Sequence, residues 1–442
     1  MSTVKVFPKN EKGCVKPMNC VNSGPVPERK TEHNENKSDG ASLYKTLEIP
    51  ITRNHDVAFV IGYGAPHVVD VHLIFPDFDA DENDPANYDF YYTDRYTEGC
   101  KEAGSQTFYR LGPSIEHGAK KYGTIPPKDF KKWARICEHI IAHLNYGWAE
   151  GLHLDIKYWE IWFEPDLDKD DAKTKRAWGG TKAQYFDLYE TASKHLKAKF
   201  PELLIGGPAL AFDVDEWTDD FLSYVKKTNS PLDFFSWHAY KGDPNIISEM
   251  ADKLRTKLNK NGFEKALSIC NEYNYVKGWE GDEYKHSQKS IISDTGASYV
   301  GAVMALSHDR MDQLYYYDVR PGCMWNGIYN LYFEKLPTYA VFAMFRNLRR
   351  LGTNIETVCT DKDLYAISAK GEKGVGTMIS YFTNSAEAAA KTITVEYNDF
   401  EGNIVPYIIG EDNDIKALDF SAKGNNLTFK IKPNSVMYIE AN

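Results

Sequence analysis

Residues 130–167 read FKKWARICEHIIAHLNYGWAEGLHLDIKYWEIWFEPDL. In the first half Phe130, Trp133, Ile136, Cys137, Ile140, Ile141 and Leu144 recur at helical spacing, with Pro126 and Pro127 just ahead, where a helix start tolerates them. In the second half YWEIW is too short for a helix and reads as a buried strand, and it runs into Glu164 between Phe163 and Pro165. Working outward, the same alternation recurs. A helical stretch at 181–200 stops at Pro201 and LLIGG (203–207) follows as a strand. Helical tracts near 215–227, 245–260 and 296–308 then alternate with the strand-like DFFSWHAY (233–240), ALSICNEYNY (266–275) and QLYYY (313–317). This βα alternation from about residue 15 to 345 predicts a (β/α)8 TIM barrel.

After about residue 350 the texture becomes short alternating segments such as DLYAISAK and KTITVEYND, set off by Gly, Asn and Asp. That pattern predicts an accessory antiparallel β-sandwich over 346–442, to which the early TVKVFP within residues 1–14 adds a strand. The 442-residue length suits one barrel of residues 15–345 plus this smaller companion. Hydrophobic residues make up 42% and aromatics 14%, enough for a large core.

A formal charge of −11 argues against nucleic acid or an anionic membrane surface as partner, because both select clustered Lys and Arg. An uncharged or weakly charged small molecule fits better. MSTVKVFPKNEKGC has no apolar stretch of signal-peptide length and no later segment reaches membrane-span length, which gives the expectation of a cytoplasmic protein. Seven scattered cysteines without CxxC pairs read as thiols rather than disulfides or zinc ligands. The polar tract 28–40 reads as a rim loop. DFDADENDP (77–85) alternates Asp like a calcium loop but has Glu82 where glycine is needed, so it reads as a solvated loop. GYGAP (62–66) lacks the third glycine of a dinucleotide site. No metal and no cofactor is expected.

In a parallel barrel the chemistry sits at the carboxyl ends of strands. Here IPITRNHD ends on Arg53, His55 and Asp56, the 158–167 stretch on Glu164, DFFSWHAY on His238 and Tyr240, and LSICNEYN on Glu272 and Asn274. Glu164 and Glu272 lie 108 residues apart, which is three βα units of about 36 residues, so they fall on the fourth and seventh barrel strands. Two carboxyls in one pocket suit glycoside hydrolysis, where one protonates the leaving oxygen and the other attacks the anomeric carbon or activates water. Burial beside Trp162 and Phe163 should favour a protonated Glu164, and hydrogen bonds from Tyr240 or Arg53 should keep Glu272 ionised. Trp162, Trp237, Tyr273 and Trp325 are candidates to stack on sugar faces. Taken singly, each glutamate could instead be a structural hydrogen-bond partner and His238 a satisfied core histidine; Arg53 could simply pair with Asp56.

The motifs KPMNCVNSGPVP, EIWFEPDL, SWHAY and NEYNY, with the closing β-rich segment, resemble glycoside hydrolase family 39, the group of β-xylosidases and α-L-iduronidases. The resemblance covers most of the chain. It implies a retaining double displacement with Glu164 as acid/base and Glu272 as nucleophile. It also implies that His238 contacts the sugar or orients the acid/base, that Tyr240 supports the nucleophile, and that Arg53 and His55 line the second-strand rim. Asp318, Arg320 and Trp325 in YYYDVRPGCMWNGIYN would close the pocket at the eighth strand. A homo-oligomer is expected from the same resemblance.

One position departs from the pattern. The clan motif is Asn-Glu-Pro, and its Asn hydrogen-bonds the hydroxyl beside the anomeric carbon; Phe163 cannot. Either His55 or Asn274 supplies the contact, or the substrate presents that hydroxyl differently, or turnover is weak. Three functions follow: a retaining exo-glycosidase releasing terminal β-D-xylosyl or α-L-arabinosyl residues from oligosaccharides, a carbohydrate-binding pseudoenzyme, and an iduronidase-like enzyme using Arg320 for the uronate.

Overall fold

The computed structural model describes residues 2–25, 40–55, 68–212, 215–400, 402–410, 413–417 and 426–442. Asp56, GYGAP and the 28–39 portion of the rim tract lie outside the described residues.

The strands run β1 (Ser2–Cys14), β2 (Cys20–Asn22), β3 (Ile51–Arg53), β4 (Gln106–Leu111), β5 (Tyr158–Ile161), β6 (Leu204–Leu210), β7 (Phe234–Lys241), β8 (Leu267–Tyr275) and β9 (Gln313–Tyr316). They continue as β10 (Thr353–Cys359), β11 (Leu364–Gly371), β12 (Gly374–Tyr381), β13 (Lys391–Tyr397), β14 (Ile404–Ile409), β15 (Ile415–Ala417), β16 (Asn426–Ile431) and β17 (Ser435–Ala441). The helices are α1 (Gly40–Leu47), α2 (Val71–Ile74), α3 (Tyr91–Glu102), α4 (Phe130–Tyr146), α5 (Lys182–Lys199), α6 (Glu216–Thr228), α7 (Pro244–Asn261), α8 (Gly281–Ile291), α9 (Asp294–Ser307) and α10 (Pro337–Leu351).

Strands β2 to β9 close into a barrel in chain order, the eight-stranded fold expected from the βα alternation. Register aligns the groups used below: Asn22 pairs with Arg53 across β2 and β3, and Arg110 with Glu160 across β4 and β5. α4 begins at Asp129, whose carboxylate accepts from the Lys131 and Lys132 amides, and ends at Gly147 with φ 77°. α5 opens with a Thr181/Gln184 capping box. The acidic run at 77–85 is a loop of local turns, with the Asp77 and Asp81 carboxylates accepting from the Asp79 and Asn83 amides.

The remaining nine strands form one hydrogen-bonded sheet, β15-β14-β17-β12-β11-β10-β1-β13-β16, so the accessory domain is a continuous curled sheet. β1 pairs antiparallel with β10 and parallel with β13, which makes the amino-terminal segment an internal strand of it. Alternate residues of β1 and β13 face a core of Val4, Val6, Ile379, Ile393, Val395 and Ile439. α9 lies against this sheet. A methyl on Gly301 would come within 3.3 Å of Ser380, whose hydroxyl donates to the Ser298 carbonyl at 2.5 Å.

The chain divides into two compact units. One comprises Cys20–Ala239 and Met250–Glu272; the other comprises Met1–Asn19, Tyr240–Glu249 and Tyr273–Asn442. Among the described residues no helix is long and apolar enough to cross a membrane. No disulfide is present among them, and they include all seven cysteines.

Candidate active site

Six charged or titratable side chains, Arg53, His55, Glu160, Glu164, His238 and Glu272, converge in the first unit. Arg53, the last residue of β3, is fully buried. Its Nε and Nη2 donate to Glu160 Oε2 at 2.9 and 2.7 Å, and its Nη1 donates to Glu272 Oε1 at 2.7 Å and to Asn22 Oδ1 at 3.1 Å. The second oxygen of Glu160 accepts from Asn271 Nδ2 at 2.5 Å. Burial pulls the guanidinium pKa down, but the Glu160 and Glu272 charges outweigh it and hold Arg53 above its ordinary value. One fixed cation therefore serves two carboxylates.

Glu272 Oε1 also faces the Nε2 atoms of His55 and His238, at 3.4 and 3.5 Å. The other ring nitrogen of His238 is 2.8 Å from Glu164 Oε1. Glu164, His238 and Glu272 each present an atom within 4.8 Å of the other two. His238 is shut off from solvent, and this burial, opposed by Glu272 and reinforced by Arg53, pushes it down to about 4. The imidazole is neutral at pH 7. A trio of two carboxylates and an imidazole is also a metal donor set. Here Glu272 Oε1 already receives the Arg53 guanidinium, so a cation bound there would have to displace a buried positive charge.

The turn carrying Glu164 is held in an uncommon conformation. Trp162 and Glu164 have φ of 65° and 42°, left-handed values that cost a non-glycine residue of order 1 kcal/mol or more. The Trp162 amide bonds to Leu111, the Glu164 amide to Ala209, and the Trp162 indole to the Ala177 carbonyl. Between these two residues Phe163 turns inward and is 0% exposed. Its ring packs 4.9 Å from His55 and lies under the Arg110 guanidinium at 5.4 Å. Arg110 in turn pairs with buried Asp70 at 2.7 Å. Two residues past Glu164, Asp166 accepts from the Ala211 and Phe212 amides. Burial, opposed by those amides and reinforced by Glu164, pushes Asp166 up to about 7.

In the second unit, Tyr240, Tyr317 and Trp325 form an aromatic cluster with centroids 5.7–6.2 Å apart. The Asn274 amide nitrogen donates to the Tyr317 and Trp325 carbonyls at 2.5 and 2.9 Å, and its oxygen accepts from the Tyr275 amide. Arg320 donates through Nε and Nη2 to Asp318, which is fully buried. Of the aromatics expected to stack on a sugar, Trp162, Trp237 and Tyr273 are buried in the core. The period-two strand pattern buries both faces of a closed barrel, so strand tryptophans and tyrosines pack rather than face a ligand.

Sequence reasoning missed Glu160, Asp166, Asn22, Asn271 and Arg110. The detectable signal was a charge inside an apolar strand, as Glu160 is in YWEIW and Arg110 in QTFYRL, since a charge there needs a partner.

Residues 54–312 match the family model of glycosyl hydrolases family 39. The chain belongs to that family. This family 39 member is 25% identical over 306 residues to a β-xylosidase of Geobacillus stearothermophilus, a match covering 59% of this chain and 56% of that relative. It is 31% identical over 190 residues to a β-xylosidase of Caldicellulosiruptor saccharolyticus, covering 39% and 36%. The chain thus spans about half the length, or less, of the curated relatives it matches. In fold it is similar to a crystal structure of a glucosidase from Croceicoccus marinus, with a TM-score of 0.76 and 19% identity over 100% of this chain and 98% of that one.

Proposed function

We propose that this family 39 member is a retaining, exo-acting glycoside hydrolase that releases terminal pentosyl residues, β-D-xylosyl or α-L-arabinosyl, from oligosaccharides or glycosides. Glu272 is the nucleophile and Glu164 the acid/base. The observation that carries this is the approach of Glu164 and Glu272 to within 4.8 Å, because retaining enzymes keep their two carboxyl groups about 5–5.5 Å apart and inverting ones leave room for a water. The β-xylosidase relatives support the choice of sugar.

Arg53 keeps Glu272 ionised, ready to attack the anomeric carbon as the bond to the leaving oxygen breaks. Glu164 protonates that oxygen. In the second step the glycosyl–Glu272 ester is cleaved by a water whose proton passes to Glu164, so both carboxyls return to their starting states. A neutral His238 has one N–H for two carboxyls. With that proton on Nε2, towards Glu272, the Nδ1 lone pair accepts from protonated Glu164 and disfavours its ionised form.

His55 is the donor that stands in for the missing Asn at 163, since its Nε2 lies 3.4 Å from the nucleophile. Asn274 is less suited because its amide already serves two carbonyls. The absence of disulfides among the described residues supports a reducing, cytoplasmic location.

The test is a panel of nitrophenyl glycosides with Glu272→Ala as control, and the anomer of the first product followed by NMR. Turnover of β-xylosides or α-L-arabinosides with retained configuration, abolished in the variant, is expected. Sugar binding without turnover of any glycoside, or an inverted product, overturns the reading.

A further inference from the structure

Glu164 opens a tight turn. Its carbonyl accepts from the Leu167 amide at 3.1 Å, with Pro165 and Asp166 at the two corners, the order in which a β-turn favours proline. Pro165 fixes its own φ, so the four residues move as one piece. The turn needs holding from outside. Glu164 has φ 42°, and such left-handed backbone persists only where its surroundings impose it.

The holding comes from the end of β6. The Glu164 amide donates to the Ala209 carbonyl at 2.8 Å. In the other direction the Ala211 amide donates to Asp166 Oδ1 at 2.9 Å and the Phe212 amide to Asp166 Oδ2 at 3.1 Å. Each carboxylate oxygen thus takes one backbone N–H, and the contacts run both ways between turn and strand end. β6 is shaped for this: its pairing with β7 slips between Pro208 and Leu210, Ala209 has φ 54°, and the Ala209 amide donates to Ser236 Oγ on β7 at 3.0 Å. A bulge of this kind re-aims the backbone beyond it, and the groups beyond this one are the two amides that meet Asp166. Asp168, two residues on, instead takes the amide and guanidinium of Arg176, within its own loop. The turn, the β6 end and Ser236 all lie in the unit that holds both catalytic carboxyls.

We propose that Asp166 is a positioning residue for the acid/base, clamping the Glu164 turn to the end of β6 so that the Glu164 carboxyl stays in reach of the leaving oxygen. The inference rests on the hydrolase reading above. An acid must lie within hydrogen-bond reach of the oxygen it protonates, and an offset of about 1 Å already costs rate. His238 orients the head of Glu164 at 2.8 Å; Asp166 fixes the backbone from which that side chain springs. Because the turn is rigid, a shift at Asp166 is passed to Glu164 rather than absorbed between them.

The experiment compares two substrates. Xylobiose needs a proton on its leaving oxygen, whereas the fluoride of β-xylosyl fluoride leaves without one. In Asp166→Ala, kcat/KM for xylobiose should fall about 100-fold while that for the fluoride stays within about threefold of wild type. On the fluoride kcat should fall, because the second step still needs Glu164 as base, and sodium azide, a nucleophile that needs no base, should recover it. Asp166→Asn keeps an acceptor for one of the two amides. It should show the same pattern with a fall of about tenfold on xylobiose, and it carries the test if Asp166→Ala does not fold. An equal fall on both substrates, no fall on xylobiose, or a kcat that azide leaves depressed overturns the positioning role. If the wild-type protein turns over neither substrate, the reading as a xyloside hydrolase fails separately. Amide hydrogen exchange then still decides: faster exchange at Glu164 together with Ala211 and Phe212 in Asp166→Ala sustains the clamp, and faster exchange at Ala211 and Phe212 alone, or no change, removes it.

Discussion

The Arg53 guanidinium meets Glu272 Oε1 at 2.7 Å, with both side chains shut away from solvent. Such a contact is costly to create and costly to break, since a buried charge left without its partner loses about 3–5 kcal/mol. It persists here because Arg53 is planar and forked: one edge is spent on Glu160 while the remaining nitrogen is directed at Glu272. Glu160 fixes the fork, and the fork fixes the carboxylate proposed as nucleophile.

Arg53→Lys should therefore fail although it conserves charge. An ammonium cannot satisfy Glu160 Oε2 and Glu272 Oε1 together, so kcat on a β-xyloside should drop by about 100-fold or more. Urea unfolding should show a loss of about 3 kcal/mol. A variant with kcat within about threefold of wild type would mean that the guanidinium fork is not what holds Glu272.

Stability against pH should reveal two opposed titrations. His238 falls to about 4 in the folded protein, below its ordinary value, so between about 4 and 6.5 the unfolded chain binds the extra proton and stability rises with pH. Summed over that window the contribution is about 3 kcal/mol. Asp166 rises to about 7, so from about 4 to 7 the folded protein binds the extra proton and stability falls with pH. In urea titrations at pH 4.5 and 6.5, Asp166→Asn should gain more stability with rising pH than wild type, and His238→Gln should gain less. Identical pH slopes in all three proteins would contradict both assignments.

Much of this was readable from residue order, and the reason is periodicity. The 3.6-residue repeat in 130–144 behind Pro126 and Pro127 defines α4 locally, and the spacing of Glu164 and Glu272 follows from βα units of regular length. The contact of Arg53 with Glu272 was readable as one of two options, but the rest of the network around Arg53 was not. Glu160, Asn22 and Asn271 come from three other strands, and only barrel register brings Asn22 level with Arg53. The orientation of Phe163 was equally hidden, because it depends on left-handed backbone at Trp162 and Glu164, which no local pattern specifies. In the accessory domain, alternation gave the strands, while their single continuous sheet depends on pairings as remote as β1 with β13.

Phe163→Asn would restore the clan motif in sequence but should not improve turnover. The side chain at 163 is enclosed by His55 and Arg110, so an amide there replaces a ring that both neighbours pack on. Stability should fall by about 3 kcal/mol from the lost ring volume. kcat/KM for 4-nitrophenyl β-xyloside should stay level or drop. A clear rise would show that the amide reaches substrate and that its loss limits the natural chain.

The iduronidase-like alternative turns on Arg320. A uronate would need a cation with bonding capacity to spare, and the Arg320 guanidinium already gives two N–H groups to Asp318, whose side chain is fully buried. Taking Arg320 away would strand that carboxylate, a penalty of about 3–5 kcal/mol charged against uronides alone. Nitrophenyl uronides should accordingly be hydrolysed at least about 100-fold less efficiently than xylosides, by the conversion of such a penalty into a rate ratio. Asp318→Asn removes the competing charge and should raise the uronide-to-xyloside ratio of kcat/KM. A wild-type preference for uronides would place the substrate carboxylate on Arg320 despite Asp318 and would return the iduronidase-like assignment.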